Sequence, residues 1–189
     1  MVLRASLEKK EEKERVRSSL LRAALALSAA HGFASLGLRE VAREAGIAPT
    51  SFYRHFADME ELGAALIAEL AGPVLRGLCE RASSAPRDGL AGALLEPALS
   101  ALADDPELMR FVLAERVGAH ANLRAALREQ QAQLARALHL ASGAPPWACD
   151  AAVCVLLDAC GKALDDASSP RDAALRAIQQ LLAAAPEAS

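Results

Sequence analysis

The densest run of hydrogen-bonding side chains in this 189-residue sequence lies just after Pro49. Thr50, Ser51, Tyr53, Arg54 and His55 are interleaved with Phe52 and Phe56, which stand four residues apart. On a helix that spacing puts both phenylalanines on one face, so burying them turns the polar groups outward. Hydroxyls, a phenol, an imidazole and a guanidinium on a short helix can reach base edges in a major groove and the phosphates beside it. The same pattern also suits an ordinary solvated surface helix. The elements around it bear on the choice.

Leu38, Val41, Ala42 and Ala45 give a short helix over Leu38 to Glu44 or Ala45 one buried face. Gly37 is placed to precede it, Gly46 to end it, and Ile47 to close the turn inward. Pro49 then opens a third helix, expected to reach His55 or Phe56. Two short helices across a tight glycine turn form a helix-turn-helix. A first helix is expected from about Leu7 to His31, with a stripe of Val16, Leu20, Ala23, Ala24 and Leu27 and a solvated, fraying start. Asp58 with Glu61 reads as the capping box of a fourth helix.

Charge is divided unevenly. Residues 1–57 hold ten Lys/Arg against six Asp/Glu, a net +4, whereas the remainder holds eleven against eighteen, a net −7. A basic first unit on an acidic remainder suits a polyanion at one end only, and equally a chance bias of solvated helix surfaces. Phe33, Phe52, Tyr53 and Phe56 are crowded into this first part, with only Phe111 and Trp147 elsewhere, as expected of a small unit filling its own core. The expected division is therefore a helix-turn-helix unit at 1–57 and a helical unit at 58–189.

Composition favours helices throughout. The chain is 53% hydrophobic but only 3% aromatic, and it is rich in alanine and leucine, which makes a β-sandwich or barrel untenable. Helix breaks are expected at Ser83–Arg87, Asp104–Pro106, Gly118–Ala119, Ser142–Pro146 and Ala167–Pro170. Asp105-Pro106 and Ser169-Pro170 read as N-cap pairs, Pro73 and Pro97 as sites of kinks, and the tail Pro186 to Ser189 as frayed. Helices at about 146–165 and 170–185 carry wide faces of small apolar residues. Such a pair suits half of an intermolecular four-helix bundle, or simply the core of one subunit.

Catalytic signatures are missing from the sequence. It contains no H-E-x-x-H, G-x-S-x-G or phosphate-cradling glycine loop, and His31, His55, His120 and His139 are scattered. No enzyme activity, cofactor or metal is expected. Cys79, Cys149, Cys154 and Cys160 lack C-x-x-C or zinc spacing and read as small buried hydrophobes in a reducing compartment. No uncharged apolar run of about 18 residues and no signal-like N-terminus occurs, so a cytoplasmic protein outside the membrane is expected.

The N-terminal part resembles the tetracycline-repressor (TetR) family of bacterial transcription regulators. The resemblance rests on Gly32-Phe33, on Leu38-Arg39-Glu40-Val41-Ala42-Arg43-Glu44-Ala45-Gly46-Ile47, and on Phe52-Tyr53-Arg54-His55-Phe56. A narrower likeness, to the repressors of fatty-acid synthesis and desaturases in that family, extends to Asp58-Met59-Glu60-Glu61-Leu62-Gly63 and to Phe111-Val112-Leu113-Ala114-Glu115-Arg116. Two departures stand out. Asp58-Met59-Glu60 replaces the usual lysine after the Y-x-H-F motif, and Gly37 replaces the subgroup's serine.

The resemblance implies an all-α repressor that binds double-stranded DNA as a homodimer, answers to a small hydrophobic effector and governs lipid-metabolism genes in response to long-chain acyl-CoA. Tyr53 and His55 would hold phosphates, and Thr50, Ser51 and Arg54 would face bases behind Pro49. Arg54 is equally placed for a phosphate or for Glu44. Arg39 would reach a phosphate or pair with an acid, and Lys9, Lys10 and Lys13 would add backbone contacts or stay solvated beside their acids. Leu66, Leu70, Leu99, Leu102 and Met109, with Phe111, Leu113 and Leu127, are candidates to line an acyl-binding pocket or to pack the core. Arg116 and His120 would meet a thioester or phosphate, or form internal pairs, Asp105 being one partner for Arg116. Two other readings remain. One is a repressor of efflux or catabolic genes sensing another hydrophobic ligand; the scarcity of aromatics argues against a stacking pocket for planar cations. The other is a helical interaction protein without DNA binding.

Overall fold

The computed structural model describes residues 2–166 and 171–184, with side chains from residue 8 onward. Among these residues every regular element is helical. The long α1 (Val2–His31) ends in a single turn at Phe33–Ser35, followed by α2 (Leu38–Glu44) and α3 (Pro49–Phe52). Then come α4 (Met59–Ala65), α5 (Gly72–Ser84), α6 (Leu90–Asp104), α7 (Pro106–Glu115), α8 (Ala121–Ser142), α9 (Pro146–Asp165) and α10 (Arg171–Leu182). The expected break at Ala167–Pro170, the Ser169-Pro170 cap and the Pro186 to Ser189 tail lie outside the described residues.

Local chemistry explains the ends that matter. Gly46 takes φ 71°, and the N–H groups of Gly46 and Ile47 donate to the carbonyls of Arg43 and Ala42 at 3.0 and 2.9 Å. This is a Schellman termination, and it turns the chain sharply from α2 into α3. Asp58 caps α4 by accepting the Glu61 N–H at 2.8 Å, and Glu61 reaches back to the Ala57 N–H at 2.5 Å. Asp105 likewise caps α7 through the Leu108 N–H at 3.1 Å.

The two prolines expected to kink or break their helices are accommodated in different ways. Helix α6 runs through Pro97 with no break. At Pro73 the helix also continues, because Leu66–Ala71 widen into a π-turn between α4 and α5. The Gly72 N–H reaches the Ile67 carbonyl across five residues, and the wider ring relieves the clash that proline imposes on a preceding carbonyl. The whole helix Met59–Ser84 is long and apolar enough to cross a membrane by length and composition. It carries Glu69 and Arg76, and 44% of its most apolar window is buried inside the protein.

Two apolar clusters fill the molecule. One joins α5, α6, α8, α9 and α10 around Leu90, Leu94, Leu134, Leu156 and Ile178. The other runs from Leu20, Leu21 and Leu25 through Phe33, Val41, Phe52 and Phe56 into Leu62, Leu66, Ile67, Phe111 and Leu123. This second core crosses residue 57 without interruption. The α1 stripe is wider than expected, since Leu21 and Leu25 are buried beside Leu20 and Ala24. Cys149 and Cys160 are buried and Cys79 is half-buried, but Cys154 is exposed, contrary to expectation. It lies on the face of α9 opposite Ala152, Leu156 and Cys160.

Candidate nucleic-acid interface and central cavity

Regular α-helix in α3 stops at Phe52, earlier than the expected His55 or Phe56. The chain nevertheless keeps its helical course in a tighter form. Arg54 and His55 N–H groups donate to the carbonyls of Ser51 and Phe52, three residues back, at 3.2 and 2.8 Å. Phe52 and Phe56 are buried with ring centroids 5.7 Å apart. That burial leaves Pro49, Thr50, Tyr53 and Arg54 exposed and Ser51 and His55 half-buried, on one continuous surface. Tyr53 is 64% exposed, which is unusual for an aromatic and suits a contact made to something outside the chain.

Arg39 on α2 is exposed, and neither it nor Arg54 makes an ion pair among the described residues, so neither is tied to an acid such as Glu44. Lys9, Lys10 and Lys13 are exposed along α1. His55 is set differently. Its Nδ1 is buried without a partner, and burial, aided by Lys13, Arg17 and Arg54, pushes its pKa below the ordinary histidine value.

Arg17 was not anticipated as part of this surface. Its guanidinium lies 4.2 Å from the Phe56 ring centroid, donates to the His55 carbonyl at 2.9 Å, and pairs with Glu69 at 2.5 Å. It thereby ties α1, the recognition turn and the π-turn together. Nothing in its spacing separates it from the other basic residues of α1. Arg22, three residues past Ser19, pairs with Asp105, the cap of α7.

An apolar cavity of about 90 Å³ lies among α5, α6, α7, α8 and α9. Val74, Leu78, Leu108, Met109, Val112, Leu127, Leu156 and Cys160 line it, together with two carboxamides, Gln130 and Gln131. Of the sequence candidates, Met109 and Leu127 are on this wall. Leu66 and Leu70 belong to the core shared with the first unit, and Leu99 and Leu102 to the other core. Phe111 packs edge-on against Phe33, and with Leu113 it borders a separate cleft between α1, α7 and α9. Arg116 and His120 lie in the α7–α8 connection and away from the cavity wall. His120 Nδ1 is 3.6 Å from Glu115, whose carboxylate is only 4% exposed, and its ring stacks edge-on to Phe33. Arg116 makes no ion pair among the described residues; the Asp105 carboxylate pairs with Arg22 instead. Among the described residues no cluster of His, Cys, Asp and Glu is arranged to hold a metal.

Among the described residues an exposed polar turn after a Schellman corner is thus joined to a helical unit with an apolar cavity. Residues 20–66 match the profile of the bacterial regulatory proteins, tetR family. This part of the chain, from the middle of α1 into the π-turn, is thus similar to the N-terminal domain of that family. Solved structures share the fold from end to end. The fatty acid degradation regulator FadR from Bacillus halodurans is 18% identical, with a TM-score of 0.72, over 92% of this chain and 97% of that one. FadR from Bacillus subtilis, solved with stearoyl-CoA, is also 18% identical, with a TM-score of 0.71 over 90% and 99%. SmeT, solved with triclosan, is 24% identical, with a TM-score of 0.67 over 89% and 90%.

Proposed function

We propose that this chain is a ligand-responsive transcriptional repressor that binds a pseudo-palindromic operator as a homodimer. The observation that carries the reading is the surface formed by exposed Thr50, Tyr53 and Arg54 with half-buried Ser51 and His55, above two buried phenylalanines. Thr50, Ser51 and Arg54 face base edges, whereas Tyr53, His55 and Arg39 fix the register on phosphates. One such unit buries only about 600–1,000 Å² on DNA, so specificity requires two copies on half-sites roughly 34–36 Å apart. Helices α9 and α10, whose outer faces keep Ala151, Val155, Leu175 and Leu181 half-exposed, supply the two-fold bundle.

The effector enters the apolar cavity. Its lining suits an acyl group, and stearoyl-CoA in the Bacillus subtilis FadR structure supports that choice. Each buried methylene contributes about 0.8 kcal/mol, so a long chain can widen a cavity of about 90 Å³ by displacing Met109 and Leu127. The target genes are accordingly those of lipid metabolism. The triclosan seen with SmeT supports a second reading, a compact apolar effector controlling efflux or catabolism.

Fluorescence anisotropy at fixed salt tests the reading, with DNA from the gene's own upstream region and from a random library. Tight binding that changes with long-chain acyl-CoA and not with free CoA is the expected result. Tight binding indifferent to acyl-CoA removes the lipid effector. No specific binding to either DNA source removes the repressor.

A further inference from the structure

Among the described residues the cavity wall carries no charged side chain, and beside the Cys160 thiol its polar groups are two adjacent carboxamides. Gln130 is the better placed. Its Nε2 donates to the Ile67 carbonyl at 3.2 Å, the same carbonyl that accepts the Gly72 N–H across the π-turn. That bond uses one of two amide hydrogens. The second has no hydrogen-bond partner among the described residues, on a side chain that forms part of the wall.

We propose that Gln130 is the polar anchor of the effector, donating its second N–H to a neutral acceptor oxygen on an otherwise apolar ligand: a ketone, ester or thioester carbonyl. The inference rests on the effector-cavity reading above and narrows it to a ligand class. The bond to Ile67 holds the amide still, so the contact forms without ordering a free side chain. An ionised carboxylate is a poor occupant, because it would be stripped of water with no cation on the wall to compensate. The anchor also reaches beyond the cavity. Ile67 lies directly after α4 and is buried in the core that holds Phe52 and Phe56, so a pull on Gln130 is transmitted to the turn joining cavity and recognition surface.

Calorimetric titration of the full chain at pH 7 with 2-octanone and with octanoate tests this. The wild-type protein should bind 2-octanone at least tenfold more tightly than octanoate. Gln130→Leu should weaken 2-octanone about fivefold to tenfold, the worth of one neutral hydrogen bond. Gln130→Glu keeps the size but loses the donor and should show the same loss, whereas Gln131→Leu should stay within about twofold of wild type. Octanoate binding as tightly as the ketone in wild-type protein, or both Gln130 variants binding the ketone undiminished, overturns the inference. Wild-type protein that takes up neither 2-octanone nor any acyl-CoA overturns the cavity reading and the inference together; acyl-CoA uptake with undiminished ketone binding in the Gln130 variants overturns the inference alone.

Discussion

Gly63 on α4 packs against both Phe33 and α8, and adding one methyl there measures how tightly these elements are joined. A Cβ would stand 2.9 Å from Leu123 on α8 and 2.9 Å from the ring of Phe33. Neither neighbour has room to move. Leu123 is fully buried, and the Phe33 ring is braced edge-on by Phe111 and His120, each 5.4 Å away between centroids. Overpacking of this kind costs about 1–3 kcal/mol, set against about 1 kcal/mol gained from alanine's helix propensity. Gly77 on α5 supplies the control, since a Cβ there meets nothing within 4 Å. Gly77→Ala should therefore stabilise by up to about 1 kcal/mol, while Gly63→Ala should be neutral or destabilising by up to about 2 kcal/mol. At this chain length each kcal/mol moves the melting temperature by about 2–4 °C. Thermal unfolding of both variants at equal protein concentration reads the difference. If Gly63→Ala melts as high as Gly77→Ala, the contact between α4, Phe33 and α8 is not close-packed and the argument fails.

Other consequences concern the DNA-facing surface and its links. Tyr53→Phe should weaken every DNA similarly, whereas Arg54→Ala should relax preference at one base pair by about 1–3 kcal/mol, read by anisotropy on single-substitution operators. Parental behaviour of both variants removes the groove-reading assignment. Because the pKa of His55 is lowered in the folded chain, the unfolded chain binds the extra proton first. Its contribution to stability is thus full above the ordinary histidine pKa of about 6.5 and is lost as pH falls below it; His55→Gln should flatten that part of a stability–pH curve measured in urea, and an unchanged slope would contradict the burial argument. Asp105→Ala removes the α7 cap and the partner of Arg22, and should cost about 1 kcal/mol. A double-mutant cycle with Arg22→Ala should assign no more than about 1 kcal/mol to the ion pair, the usual worth of an exposed bridge, and a larger coupling would give it a structural role beyond that.

Features set by neighbouring residues were legible before the fold was seen. The Gly46 corner, the Asp58 and Asp105 caps and the buried pair Phe52 and Phe56 all depend on chain neighbours and helical period, and each lies where the sequence placed it. The cavity was harder to read. Its wall takes residues from five helices, and α7 turns Met109 and Val112 toward it but Phe111 toward Phe33. Periodicity marks both faces of such a helix as apolar without saying which borders a void. The π-turn was hidden as well, because Pro73 signals that the helix must adjust and is silent on whether it breaks or widens. Arg17 and Gln130 escaped notice for a related reason: their partners Glu69 and Ile67 are 52 and 63 residues away.

The core that crosses residue 57 has a consequence for how such a chain can be re-engineered and how it can evolve. Phe33, Phe52 and Phe56 share one interior with Leu62, Leu66, Phe111 and Leu123. A splice at residue 57 that joins this reading head to a different sensor would cut through close-packed hydrophobic side chains. A working chimera must carry α4 and the facing surfaces of α7 and α8 along with the head. New specificities are more readily reached by substitution at exposed Thr50, Tyr53 and Arg54, or at the cavity wall, than by exchange of whole modules.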